Sequence, residues 1–264
     1  MKRQLGVGAA LGALTLAFAI VPTPAAAAMP TCATPTQSNY FLGNGMSRSG
    51  LKGVYTEIER LGEHLCTQGS PIRGSWSLAW ISLDGPQRSG VGGINIFQGG
   101  YAQCPPPTVN SCPYNGGVIY YWDYYAHDGS GPCGIPFNTG FVNEGNPTAG
   151  YHFFQISKVG AQYQFFIDEH FIRARGQADI ETCWPTINGG EWQNETLNPN
   201  DQAGGHVSNP QGFHNNQYQT ATGWHNANRT LGSSCDANSN PAHWHCHTSS
   251  GTANGFDTYD DRVP

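Results

Sequence analysis

The chain has 264 residues, of which 11% are charged, and its 12 Lys and Arg stand against 18 Asp and Glu for a formal net charge of −6. Such a balance leaves no basic footprint for nucleic acid, and the length fits a single domain. Thirty-five glycines, 18 prolines and 12% aromatic residues, with few long amphipathic stretches, indicate β structure with many turns.

Lys2 and Arg3 precede an apolar run from Leu5 to Val21 and a small-residue segment ending at Ala28. This is the pattern of a secretory signal peptide over residues 1–28, and it makes the protein secreted and extracellular. The run is short and ends in Pro and Ala, unlike a retained anchor, and no other stretch is long and apolar enough to span a bilayer. Without residues 1–28 the chain keeps about 236 residues, with 10 basic against 18 acidic side chains. All eight cysteines (Cys32, Cys66, Cys104, Cys112, Cys133, Cys183, Cys235 and Cys246) follow the signal. An even number in a secreted chain reads as disulfides. Cys104 with Cys112, and Cys235 with Cys246, are the easiest loops to close. With no Cys-x-x-Cys, a thioredoxin-like redox role and a zinc ribbon find no support.

Residues 29–69 read as an N-terminal lead, or a propeptide, with one helix. Leu51, Val54, Ile58, Leu61 and Leu65 recur at helical spacing, with Glu57, Glu59, Arg60 and Glu63 on the other face. Residues 70–210 read as a β-sandwich. Trp76, Leu78 and Trp80 alternate with small residues up to the turn at Asp84-Gly85-Pro86. Strands follow at Gly93–Tyr101 and at the aromatic Val118–Tyr125. Tyr151–Val159 and Gln162–Ile172 flank Gly160-Ala161 as a hairpin. Residues 211–264, rich in Gly, Asn, His and Ser, read as a loop-rich extension on the sandwich. The expected class is all-β: two antiparallel sheets, one short N-terminal helix and long disulfide-tied loops.

The chemistry centres on Gly189-Gly190-Glu191-Trp192-Gln193-Asn194-Glu195. On a strand, Glu191, Gln193 and Glu195 share one face. A carboxylate in apolar surroundings has a raised pKa, suited to proton transfer. Glu191 can act as general base and then general acid, and the Gln98 amide can orient water and stabilise an oxyanion. Glu195 is a supporting group on the same face.

Four segments resemble, in order, the glutamic peptidases of the eqolisin type. Trp80-Ile81-Ser82-Leu83-Asp84-Gly85 is similar to a family strand and turn, and Phe97-Gln98-Gly99-Gly100 to the segment with the family's catalytic glutamine. Trp122-Asp123-Tyr124-Tyr125 resembles a further strand, with Asp123 where the family has Glu. Glu191-Trp192-Gln193-Asn194-Glu195 resembles the strand with the catalytic glutamate. The Gly-Gly lead-in and Gln202-Ala203-Gly204-Gly205-His206 are similar to neprosin-type glutamic peptidases. The resemblance implies a concanavalin A-like jelly roll and a secreted acid endopeptidase acting on polypeptide. In it, Glu191 and Gln98 are catalytic, while Trp80, Asp84, Asp123, Tyr125 and Trp192 line or support the groove. No cofactor is implied.

The alternative is a secreted concanavalin-like module that binds polysaccharide without catalysis. Trp76, Trp122, Tyr124, Trp192 and Trp224 would then offer stacking faces. As a glycosidase pair, Glu191 and Glu195 have Cα atoms about 13 Å apart along one strand. Retaining and inverting enzymes need carboxyl groups about 5–5.5 Å and about 6.5–9.5 Å apart, which leaves Glu191 with a carboxylate from another strand, such as Asp123. Finally, His243, His245 and His247 alternate so as to put three imidazoles on one strand face, a weak candidate for zinc or copper.

Overall fold

The computed structural model describes residues 40–63, 65, 76–85, 95–103, 117–127, 134–141, 147–176, 184, 187–196, 200–227, 243–248 and 254–262. The signal segment and every cysteine but Cys246 lie outside them. Cys246 is disulfide-bonded.

The first strands in chain order are β1 (Tyr40–Ser47), β2 (Gly53–Arg60), β3 (Ser77–Asp84), β4 (Ile96–Gln103) and β5 (Val118–His127). Next come β6 (Gly134–Phe141), β7 (Gly150–Val159), β8 (Gln162–Ile167), β9 (His170–Gly176) and β10 (Gly189–Thr196). The last are β11 (Gly205–His206), β12 (Asn209–Thr220), β13 (Gly223–Asn226), β14 (Trp244–Thr248) and β15 (Phe256–Asp260). A six-stranded sheet runs β1-β10-β3-β4-β5-β6, and a nine-stranded sheet runs β14-β15-β11-β12-β2-β7-β8-β9 with β13 beside β12. Pairing is antiparallel except at the short contact of β11 with β15. The expected two-sheet all-β sandwich is what the chain forms. No helix among the described residues is long and apolar enough to cross a membrane.

The core follows from strand alternation. Ala79, Ile81 and Leu83 of β3, Phe97 and Tyr101 of β4, and Trp122 and Tyr124 of β5 point to one side of the six-stranded sheet. Val54, Ile58, Phe154, Ile156, Phe165 and Phe213 meet them from the other sheet. At Gly99 a Cβ would stand 2.3 Å from Cζ of Phe165, so only glycine lets that ring reach the facing strand.

Three expectations need correction. The helix over Leu51–Leu65 is instead strand β2, paired with β7 and β12. Its residues fit both periods. Val54, Thr56 and Ile58 are all β-branched, and burying that alternate set between two partner strands outweighs the helical pattern. Gln162–Ile172 is not one strand, because Asp168 and Glu169 turn it back as β8 and β9. The boundaries near 70 and 210 mark no break in the sheets: β1 and β2 precede the first, β12 and β15 follow the second, and all are sheet strands.

The turn at Asp168-Glu169 carries a testable strain. Both residues have positive φ, 47° and 67°, as a two-residue type I′ hairpin requires. Asp168 justifies its place, since Oδ1 accepts from the Phe153 amide and Oδ2 pairs with His152 Nδ1. Glu169 makes no comparable bond among the described residues. Glu169→Gly is expected to stabilise the protein by about 1 kcal/mol, read as a higher urea midpoint at unchanged m value.

Candidate functional site

The opposite face of the six-stranded sheet holds the polar residues. Pairing sets Glu191 of β10 opposite Ser82 of β3, Ser82 opposite Gln98 of β4, and Gln98 opposite Asp123 of β5. Four adjacent strands thus present one polar row. The next row on this face is Gln193, Trp80, Gly100 and Tyr121, and the one beyond is Glu195, Leu78, Ala102 and Ile119. Leu78, Trp80, Ala102, Ile119 and Tyr121 form a buried apolar cluster separate from the main core.

Each polar group in the row has a defined tie. The Gln98 amide donates to Asp123 Oδ2 at 3.1 Å, and both residues are buried. The Trp80 indole donates to Glu195 Oε2 at 3.0 Å, so Glu195 holds the ring that floors the row. Ser82 Oγ donates to Asp84 Oδ1 at 2.6 Å. Glu191 is half-buried beside Gly45 of the edge strand, where a Cβ would lie 3.5 Å from Glu191 Cγ.

The electrostatics single out one pair. Burial, and then the Glu191 charge, push the Asp84 carboxyl up to about 8, against the Ser82 hydrogen bond. Burial raises Glu191 as well, and a hydrogen bond from Gln193 opposes it. Asp84 is opposite Gly189, so Glu191 is its diagonal cross-strand neighbour. Burial, then the charges of Asp123 and Glu195, also raise the Tyr121 hydroxyl.

Glu191, Gln98, Asp84, Asp123, Glu195 and Trp80 are therefore gathered on one face, as the alternation of their strands dictates. Trp192 is not with them. It faces the core, 1% exposed, and its indole donates to Tyr55 O at 3.0 Å. Tyr125 lies opposite Ile96, two residues along β5 from Asp123. Ser82 is a further member of the row that sequence reasoning does not single out, although its alternation with Trp80 and Asp84 marks it. Of the five aromatics considered for stacking, Trp122, Tyr124 and Trp192 are core residues, and Trp224 is exposed. Asn194-Glu195-Thr196 fits the pattern for N-glycosylation, but the site is closed to modification in this fold, because Asn194 is buried and donates to Thr258 Oγ1.

The histidine run does not form a metal cage. His243 and His245 both contact Asp261, at 2.9 and 3.0 Å, while His247 faces Asp257 at 3.7 Å. Among the described residues no group of three or more His, Cys, Asp or Glu is arranged to hold a metal. Burial acts against ionisation of Asp261, but hydrogen bonds from His245 and His243 hold it below the usual carboxylate range.

No family model and no curated protein matches the chain. Solved structures similar to it include a glycoside hydrolase family 16 endo-glucanase from Bacteroides ovatus, at 10% identity and TM-score 0.32, covering 57% of this chain and 58% of that one. A second is the Crh5 transglycosylase, at 11% identity and TM-score 0.33, covering 65% and 60%. A third is the Bacillus licheniformis β-glucanase, at 10% identity and TM-score 0.35, covering 61% and 65%. The chain spans less than two thirds of the length of each. The shared feature is the all-β, two-sheet architecture described above. The expectation of a glutamic peptidase is corrected here by the arrangement of the strands. The row itself offers no peptidase dyad: Gln98 and Glu191 sit on strands two steps apart, roughly 10 Å, with Ser82 between them and the Gln98 amide turned to Asp123.

Proposed function

We propose that the protein is a carbohydrate-active sandwich that binds a neutral polysaccharide along the polar row of its six-stranded sheet. The observation that carries this reading is the row itself. Its accessible members are Glu191 and, in the next row, Gln193, with Ser82, Gln98 and Asp123 buried behind them, and this carboxylate and amide match a ligand whose hydroxyls both donate and accept. Neutral polymers fit best, because Glu191, Asp123 and Glu195 on one face, in a chain of net charge −6, repel uronates and phosphates.

A second reading, glycosidic hydrolysis at the same place, is favoured by the Asp84–Glu191 pair. A carboxyl titrating at about 8 is still protonated at neutral pH and suited to protonate a leaving oxygen, while its neighbour acts as base toward water.

One experiment addresses both. The purified chain is run by affinity electrophoresis through gels containing neutral glucans, xylans, mannans or galactans, with pectin as an acidic control, and release of reducing ends is followed in parallel. Retardation by a neutral polymer, weakened about tenfold in E191Q, is the expected result. Reducing ends that appear in the parent and fall to background in D84N, with retardation kept, select hydrolysis. Failure to bind any neutral polymer overturns the proposal.

A further inference from the structure

The outer face of the nine-stranded sheet carries a line of three rings. Trp224 of β13 and Tyr55 of β2 have centroids 6.4 Å apart, and Tyr55 and Phe153 of β7 have centroids 6.3 Å apart at an interplanar angle of 24°. Trp224 is 37% and Phe153 39% exposed, and with Tyr55 between them they form a contiguous strip of rings rather than scattered surface residues. Such exposure also removes these rings from the accounting of core stability.

The line is held in place. At Gly53 a Cβ would come within 3.1 Å of Trp224 Cη2, so the missing side chain leaves the indole its seat over β2. The Tyr55 hydroxyl donates to Glu57 Oε1 at 3.3 Å, and Asn215 donates to the same oxygen at 2.6 Å, which fixes the middle ring. Around the rings the register places amides: Gln217 and Gln155 flank Tyr55 on its two neighbouring strands, and Gln219 lies between Trp224 and Gly53. The charges acting on Tyr55 are Glu57, Glu169 and Asp168, all acidic. Fixed rings interleaved with neutral amides complement a ligand with apolar C–H faces and many hydroxyls. An acidic fringe disfavours polyanions.

We propose that the Trp224–Tyr55–Phe153 line is a docking surface for a neutral polysaccharide chain, separate from the polar row on the other sheet. It rests on the carbohydrate reading, and it would let the protein hold a polymer at two places at once, raising the effective concentration of chain at the row.

The test uses the full chain with the double variant W224A/F153A, the single variant W224F, and E191Q. Both rings are exposed, so the variants are expected to fold, which thermal unfolding checks. The expected result is retardation by a neutral polysaccharide that weakens about tenfold in W224A/F153A, one ring's worth or more of contact, and is largely kept in W224F. Unchanged retardation in W224A/F153A, with loss in E191Q, overturns the docking surface and leaves the polar row standing. Absence of binding to every neutral polymer overturns both. Sedimentation of the free protein is the last arm: a dimer in the parent that W224A/F153A converts to monomer assigns the surface to a second copy of the chain and overturns the glycan assignment.

Discussion

Arg262→Ala is expected to destabilise the protein by about 3–5 kcal/mol, because it strands a buried carboxylate. Asp260 is 0% exposed, and Arg262 6%. The guanidinium meets both oxygens of Asp260, through Nε to Oδ1 at 2.8 Å and through Nη2 to Oδ2. Nη2 also donates to Asp201 O at 3.1 Å. The Trp244 indole completes the group at Asp260 Oδ2, 3.2 Å away. This clip fastens β14 and β15 to the 200–206 segment, and Trp244 packs edge-on against Tyr40 of β1, 6.2 Å between centroids. Urea unfolding of R262A measures the loss. The double change D260N/R262M removes both charges and is expected to cost much less, since no ion remains unpaired. A double variant as unstable as the single one would assign the loss to packing rather than to the orphaned charge.

The clip is invisible in the sequence, where residues 211–264 read as loops for want of aliphatic residues. The strands there are held by other means: Phe213 stacked on Phe256 at 4.8 Å, Thr258 bonded to Gly204 and Gln211, and the Asp260–Arg262 pair. Hydropathy does not report such ties. The four middle strands of the six-stranded sheet are legible through their alternation, as in Leu78, Trp80, Ser82 and Asp84 against Ala79, Ile81 and Leu83 of β3, while the outer strands β1 and β6 are not. The same alternation, read from sequence alone, puts Glu191 and Glu195 on one face of their strand. What alternation does not supply is register. A two-strand separation of Gln98 from Glu191, with Ser82 between, follows from which strands are neighbours, and that is a long-range property. Helix and strand periods overlap over Leu51–Leu65, so partner strands decide β2. The ring line on the outer sheet escapes sequence reasoning for the same reason, since Tyr55, Phe153 and Trp224 are distant along the chain and meet through pairing alone.

Glu63 gives the second large prediction, a stability that falls as pH rises. Its Oε1 accepts from the Gly205 amide at 2.9 Å, while Oε2 is buried with no hydrogen-bond partner among the described residues. The carboxyl borders a small cavity lined also by Tyr101, Gln103 and Gln211. Burial pushes it from the ordinary 4.5 up to about 7, with the Gly205 amide opposing the rise and Asp260 adding to it. A folded value above the unfolded one means that the folded state binds the proton more tightly. The associated stability is complete below pH 4.5 and is lost as pH climbs through about 7. The loss amounts to about 2–3 kcal/mol at slightly alkaline pH. Other groups titrate over the same range, so the informative quantity is a difference. In Glu63→Gln the amide still offers an oxygen to Gly205 and carries no charge. The unfolding free energy of the parent minus that of E63Q, followed from about pH 4 to about pH 8.5, should fall by about 2–3 kcal/mol with its midpoint between the two titration points. A flat difference would mean that Glu63 stays ionised in the fold, solvated through the cavity it borders. The same experiment run on D84N separates the two raised carboxyls, because Asp84 titrates higher, at about 8, and beside Glu191. Only the Asp84 difference should then respond to removal of the Glu191 charge, since the burial of Glu63 owes nothing to the polar row.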